Sequence, residues 1–141
     1  MERSSVLDHQ SKLVLLIEDN TDDERLTLRA LRKNNVMNEV IVACDGQEAV
    51  DYLYAEGKFA GRDTSLLPSV IILDLKLPKL DGLSVLEKIR AHESTRFTPV
   101  IVLTASEDQE KLRAAYSKGA NSYVYKPTDP DQYVETILNT V

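Results

Sequence analysis

Leu13–Ile17, Val70–Leu73 and Val100–Leu103 are each apolar at every position. A strand with one solvated face alternates polar and apolar residues. A strand that is apolar throughout is buried on both faces, as in a parallel sheet covered by helices on either side. The middle run is the most telling, because Ser69-Val70-Ile71-Ile72-Leu73 leads directly into Asp74. Pro78 and Asp81-Gly82 then punctuate a loop. A carboxylate at the carboxyl end of a central parallel strand stands where open α/β sheets place their ligand chemistry. The bland reading of Asp74 is a turn residue capping the next helix, but Asp81 already suits that task.

The rest of the chain fits around this frame. Thr21 with Glu24 forms a capping-box pattern before a helix carrying Leu26, Leu28 and Leu31, which Asn34-Asn35 ends. Glu39–Cys44 reads as a short strand, and Asp45-Gly46 turns into a helix with Ala49, Val50, Leu53 and Tyr54 on its apolar side. Gly57–Leu67 is polar, glycine-bearing and longer than most connections in compact domains. Leu83, Leu86 and Ile89, with Val85 alongside, mark a third helix. Val100–Leu103 runs on into Thr104-Ala105-Ser106, and a fourth helix over about 107–118 closes at Gly119. Asn121–Tyr125 is the last strand, ending in Lys126-Pro127. Asp129 and Pro130 suit the cap and first position of a final helix bearing Tyr133, Val134, Ile137 and Leu138. Five strands alternating with five helices predict one doubly wound α/β domain over 13–141, preceded by a tail at 1–12.

At 141 residues, 43% hydrophobic and 28% charged, the chain has ordinary globular composition. Its net charge of -6 argues against a nucleic-acid surface, which would be basic. Cys44 is the only cysteine, so no intrachain disulfide forms; it sits in an apolar run and fits a reduced cytosolic setting. Met1–Ser11 lacks the apolar region of a signal peptide, and no run approaches the ~20 apolar residues of a membrane span. The expectation is a cytoplasmic protein without membrane attachment. Val141 follows closely on the final helix, so no further domain is expected.

The strand tips carry the chemistry. Glu18 and Asp19 end the first strand, Asp74 the third, Thr104 the fourth and Lys126 the fifth. Right-handed crossovers bring these ends to one edge of the sheet. Three carboxylates there repel one another. Mg²⁺ would relieve the repulsion, since it takes a few carboxylates together with waters and phosphate oxygens. Lys126 offers a positive point charge and Thr104 a hydroxyl donor. Around a nucleophilic carboxylate these are the parts needed for phosphoryl transfer.

Glu18-Asp19, the segment Asp74–Gly82, Thr104-Ala105 and Lys126-Pro127 resemble the signature of two-component response-regulator receiver domains, the CheY-like fold. The resemblance spans about Leu13 to Leu138 and implies a five-stranded parallel sheet of order 2-1-3-4-5. It implies that Asp74 accepts a phosphoryl group from a histidine kinase. Glu18, Asp19, Asp74 and the main-chain carbonyl of Lys76 would hold Mg²⁺. Thr104 and Lys126 would contact the phosphoryl group, and Pro127 would follow a cis peptide bond. Tyr123 matches the switch position that works with Thr104, although its sequence context alone suits a core or interface aromatic equally. Lys76 occupies a position that tunes phosphoryl lifetime in the family, unless its side chain is simply solvated. Leu77 replaces the methionine of many members, a volume-conserving change. The long connection, the wording Glu18-Asp19-Asn20-Thr21-Asp22-Asp23 and the stretch Gly119–Pro127 resemble the small regulators that partner bacterial phytochrome kinases.

A stand-alone receiver would act through a downstream phosphotransfer protein or another partner, and would dephosphorylate itself. Tyr116, Tyr125 and Tyr133 are candidates for a homodimer surface of the kind such regulators form along the fourth helix, fifth strand and fifth helix. One alternative is an aspartyl-nucleophile phosphohydrolase of haloacid-dehalogenase type, but that family has a second aspartate where Lys76 stands. Another is a flavodoxin-like nucleotide or flavin binder. The acidic first loop, Asp19–Asp23, lacks the glycines of a phosphate cradle.

Overall fold

Five strands form a single sheet in a computed structural model that describes residues 13–33, 39–105, 109–126 and 135. They are β1 (Leu13–Ile17), β2 (Glu39–Ala43), β3 (Val70–Asp74), β4 (Val100–Ala105) and β5 (Ser122–Lys126). The order is β2-β1-β3-β4-β5 and every neighbouring pair is parallel, as the family resemblance implies. Parallel pairing puts the carboxyl ends of all five strands on one edge. The described residues also hold α1 (Thr21–Lys33), α2 (Gly46–Tyr54), α3 (Gly82–Ala91) and α4 (Gln109–Ser117). The expected fifth helix, with Tyr133, falls outside the described residues apart from helical Glu135. So do the tail at 1–12, the Asn34-Asn35 helix stop and Ser106. Among the described residues no helix is long and apolar enough to cross a membrane.

The continuous apolar runs are explained by what each face touches. Leu15, Ile17, Ile71, Leu73, Val100 and Val102 join one core with Ala49 and Leu53 of α2, Leu86 and Ile89 of α3, and Leu112 of α4. Val14, Leu16, Val70, Ile72, Ile101 and Leu103 face the opposite way, into a second core with Leu31 of α1. Each of these large side chains contributes about 2 kcal/mol by leaving water.

Local chemistry sets the helix starts. Asp45 caps α2 by accepting the Glu48 N–H at 2.8 Å, and Asp81 caps α3 by accepting the Ser84 N–H at 2.9 Å. For α1 the expected Thr21–Glu24 box gives way to Asn20. Its Oδ1 accepts the Asp23 N–H at 2.9 Å, which makes Thr21 the first helical residue. Asn20 stands three residues before Asp23 and is as good a cap former as threonine, so the sequence signal was present one position earlier. Tyr52, not singled out by the helix pattern, is buried, whereas Tyr54 is only partly so. Cys44 is exposed just beyond β2, and not enclosed in an apolar run.

Two arginines organise the connections. Arg62 spans the long segment after α2. Its guanidinium lies 4.0 Å over the Tyr52 ring and donates to the carbonyls of Tyr52 (2.7 Å), Leu53 (3.3 Å), Asp63 (3.1 Å) and Leu66 (3.2 Å). Arg90, on α3, donates to the carbonyls of Thr98 (2.8 Å) and Gly119 (2.7 Å) and to Asn121 Oδ1 (2.9 Å), tying α3 to the turn before β5.

Candidate functional site

β1 and β3 are neighbours at the point where the strand order reverses, so their carboxyl ends flank the crevice that this architecture offers to ligands. β1 delivers Glu18 and Asp19, and β3 ends on Asp74. One carboxylate oxygen from each of the three lies within 4.8 Å of the others. Glu18 is 1% exposed and Asp74 4%, while Asp19 opens to solvent. Backbone groups hold the buried pair. Asn20 N–H donates to Glu18 Oε2 at 3.2 Å, and Lys76 N–H donates to Asp74 Oδ1 at 3.0 Å. Asp19, Asn20, Thr21, Asp74, Lys76, Leu77 and Pro78 line an open cleft of about 710 Å³ over the cluster.

Three carboxylates, two of them buried, concentrate negative charge at the two strand tips. The donor set is made of hard oxygens with one side open to water, which fits a small divalent cation.

The loop after Asp74 is folded tightly. Leu75 N–H bonds the Leu103 carbonyl at 3.0 Å, and Gly82 N–H returns to the Leu75 carbonyl at 3.2 Å. A Cβ on Gly82 would lie 2.5 Å from Leu75 Cα, so only glycine allows that closure. Lys79 sits at φ 68° within the loop.

Thr104 is 4% exposed near the end of β4 and is in register with Tyr125, not with Tyr123, whose partner is Val102. Strand alternation sends Tyr123 and Tyr125 to one face. Their rings lie 4.9 Å apart, and Tyr123 meets Tyr116 of α4 edge-on at 6.1 Å. A row of aromatic contacts therefore leads from the register partner of Thr104 to the α4 surface. Tyr116 and Tyr123 are the outward members, at 43% and 39% exposed. Tyr125 packs partly into the core and accepts a hydrogen bond from Gln109 Nε2 at 3.1 Å. Burial, with Tyr123 and Tyr125 nearby, pushes the Tyr116 phenol above its ordinary range. Lys126 ends β5 in register with Ala105, on the same sheet edge as the acids. Pro127, and with it the expected cis bond, lies outside the described residues.

A 2-1-3-4-5 parallel sheet with an acidic cluster at the tips of β1 and β3 is the architecture of a CheY-like receiver. The model of the response regulator receiver domain matches residues 14–138, and the chain belongs to that family of two-component signalling domains. FilR2 of Methanothrix harundinacea, described as a probable methanogenesis regulatory protein, is 40% identical over 126 residues, 89% of this chain and 78% of its own length. The response regulator Rcp1 of Synechocystis is 36% identical over 115 residues, covering 82% of this chain and 76% of Rcp1. Among solved structures, the bacteriophytochrome response regulator RtBRR matches with a TM-score of 0.83 and 44% identity, over 92% of this chain and 78% of that one. The Mn²⁺-bound form of Rcp1 matches with a TM-score of 0.79 and 33% identity, over 89% and 91% of the two chains. Membership of this family leaves the phosphohydrolase reading without support.

Proposed function

We propose that this chain is the phosphoacceptor of a two-component pathway, with Asp74 receiving its phosphoryl group from a histidine kinase. The observation that carries the reading is the cluster of Glu18, Asp19 and Asp74 at adjacent strand tips, two of the three buried. With the main-chain carbonyl of Lys76 they would hold Mg²⁺, which supplies charge neutralisation for the carboxylates and the incoming phosphoryl oxygens. The Lys76 N–H fixes the Asp74 carboxylate rotamer through Oδ1. Asp74 attacks phosphorus, the P–N bond of the kinase phosphohistidine breaks, and the imidazole nitrogen keeps the electron pair. Positioning and charge neutralisation supply most of such a rate enhancement. The Thr104 hydroxyl and the Lys126 ammonium then bind the phosphoryl oxygens, and water later hydrolyses the acyl phosphate.

In this reading the receiver spans 13–141 after a tail at 1–12, and its kinase is phytochrome-linked. The name of RtBRR as a bacteriophytochrome response regulator supports that choice. Output passes through contacts on the Tyr116–Tyr123–Tyr125 face, as a homodimer or to a downstream phosphotransfer protein. The test is incubation with acetyl phosphate and Mg²⁺, which should place an acid-stable, base-labile label on Asp74. Asp74→Asn should abolish the label and leave the melting temperature unchanged or raised, since one member of a repelling cluster is gone. Wild-type labelling of Asp74→Asn would remove the proposal.

A further inference from the structure

The loop from Leu75 to Asp81 is held at its ends by β4 and by its own first residue, and its crown is held from α2. Leu75 and Gly82 pin the ends through the Leu103 and Leu75 carbonyls. The crown, Lys79-Leu80, lies against the first turn of α2. There a Cβ on Gly46 would fall on the Leu80 carbonyl oxygen and 2.9 Å from Leu80 Cβ. Asp45 works in two directions at the same point. Its Oδ1 caps α2, and its Oδ2 lies 3.5 Å from Nζ of Lys79, the loop residue at φ 68°.

We propose that Gly46 is a positioning residue for the Asp74 site. Its missing side chain lets the Leu80 carbonyl seat against α2, and this holds the loop in the form that orients Asp74. A methyl group there must displace the crown. The ends cannot follow, because Gly82 is itself closed onto Leu75 and Asp74. The displacement therefore passes into residues 76–79, including Lys76, whose N–H orients Asp74 Oδ1. The inference rests on the reading of Glu18, Asp19 and Asp74 as the metal site.

Isothermal titration of the full chain with Mg²⁺ alone, and with Mn²⁺ alone, tests it, alongside melting in chelator. Gly46→Ala should bind either ion at least tenfold more weakly, whereas Gln47→Ala, an exposed change in the same turn, should match wild type. A Gly46→Ala chain that melts earlier yet binds metal as wild type does would show that α2 yields instead of the loop, and would overturn the proposal. Lys79→Gly covers the case in which Gly46→Ala does not fold. It unties the crown from Asp45 and removes the strained backbone while leaving α2 intact. It should bind metal severalfold more weakly with no loss of melting temperature, and unchanged affinity would again overturn the idea. Asp19→Asn separates the two claims. If it leaves Mg²⁺ affinity intact, the metal-site reading fails; if it weakens binding while Gly46→Ala and Lys79→Gly do not, only the positioning role fails.

Discussion

Lys76 gives its backbone N–H to Asp74 while its exposed side chain lines the same cleft. Its ammonium near a phosphoryl group would hinder the approach of water and would also neutralise charge that repels a nucleophile. The two effects oppose each other. A unit charge pair at about 4 Å in water is worth about 1 kcal/mol, roughly a factor of five in rate. Whichever effect prevails, Lys76→Ala should change the decay of the acyl phosphate by no more than about that factor, followed as loss of label after the donor is removed. An unaltered decay would place the ammonium in solvent. Glu48 makes a different kind of prediction. The Cys44 N–H and the Lys58 ammonium, at 2.6 and 2.7 Å, hold its carboxyl below the ordinary value of 4.5. A carboxyl depressed in the folded state stabilises in full above its unfolded value and loses that contribution as the pH falls through the folded value. Glu48→Gln should thus melt earlier than wild type at pH 7, with the gap closing as the pH falls below the ordinary carboxyl value of 4.5, as read from melting curves across pH.

Among the elements, α1 shows where reading the chain succeeds and where it slips. The helix, its acidic first turn and its buried Leu31 follow from the pattern, but the cap lies one residue earlier than the Thr21–Glu24 box suggested. Asn20→Ala should cost about 1 kcal/mol of stability in denaturant unfolding, and Thr21→Ala close to nothing. Strands β1, β3 and β4 were legible because runs buried on both faces leave no room for polar residues. Asp74, Glu18 and Asp19 were legible for the converse reason: an acid directly after such a run needs a use. The Gly46–Leu80 contact was not legible, because it joins positions distant in the chain through a backbone carbonyl and leaves no periodic trace. The register of Tyr125 with Thr104 was equally hidden, since nothing in β4 or β5 taken alone fixes their offset.

For the molecule as a whole, the edge strand β5 and the α4 surface present exposed aromatic area, which invites a partner. The chain should form a two-fold dimer at micromolar concentration without phosphorylation, measured by light scattering. Tyr123→Ala should weaken it about tenfold while sparing the core, the usual effect of losing an aromatic anchor. Tyr125→Ala should weaken it and lower stability as well, because Tyr125 packs inward. A monomer at high concentration, with and without a phosphoryl mimic, would defeat the idea. The Arg62 brace bears on how the chain can be cut or extended. Trypsin cleaves after arginine only when the side chain can enter its specificity pocket, yet the Arg62 guanidinium is engaged with four carbonyls and the Tyr52 ring. Nicking after Arg62 must wait for local opening, so that peptide bond should resist digestion nearly as well as the elements the connection joins. One residue earlier, Gly61 has nothing within 4 Å of where a side chain would begin. A reporter peptide spliced in at Gly61 would project outward and leave the brace in place, whereas one placed after Arg62 would pull the brace apart.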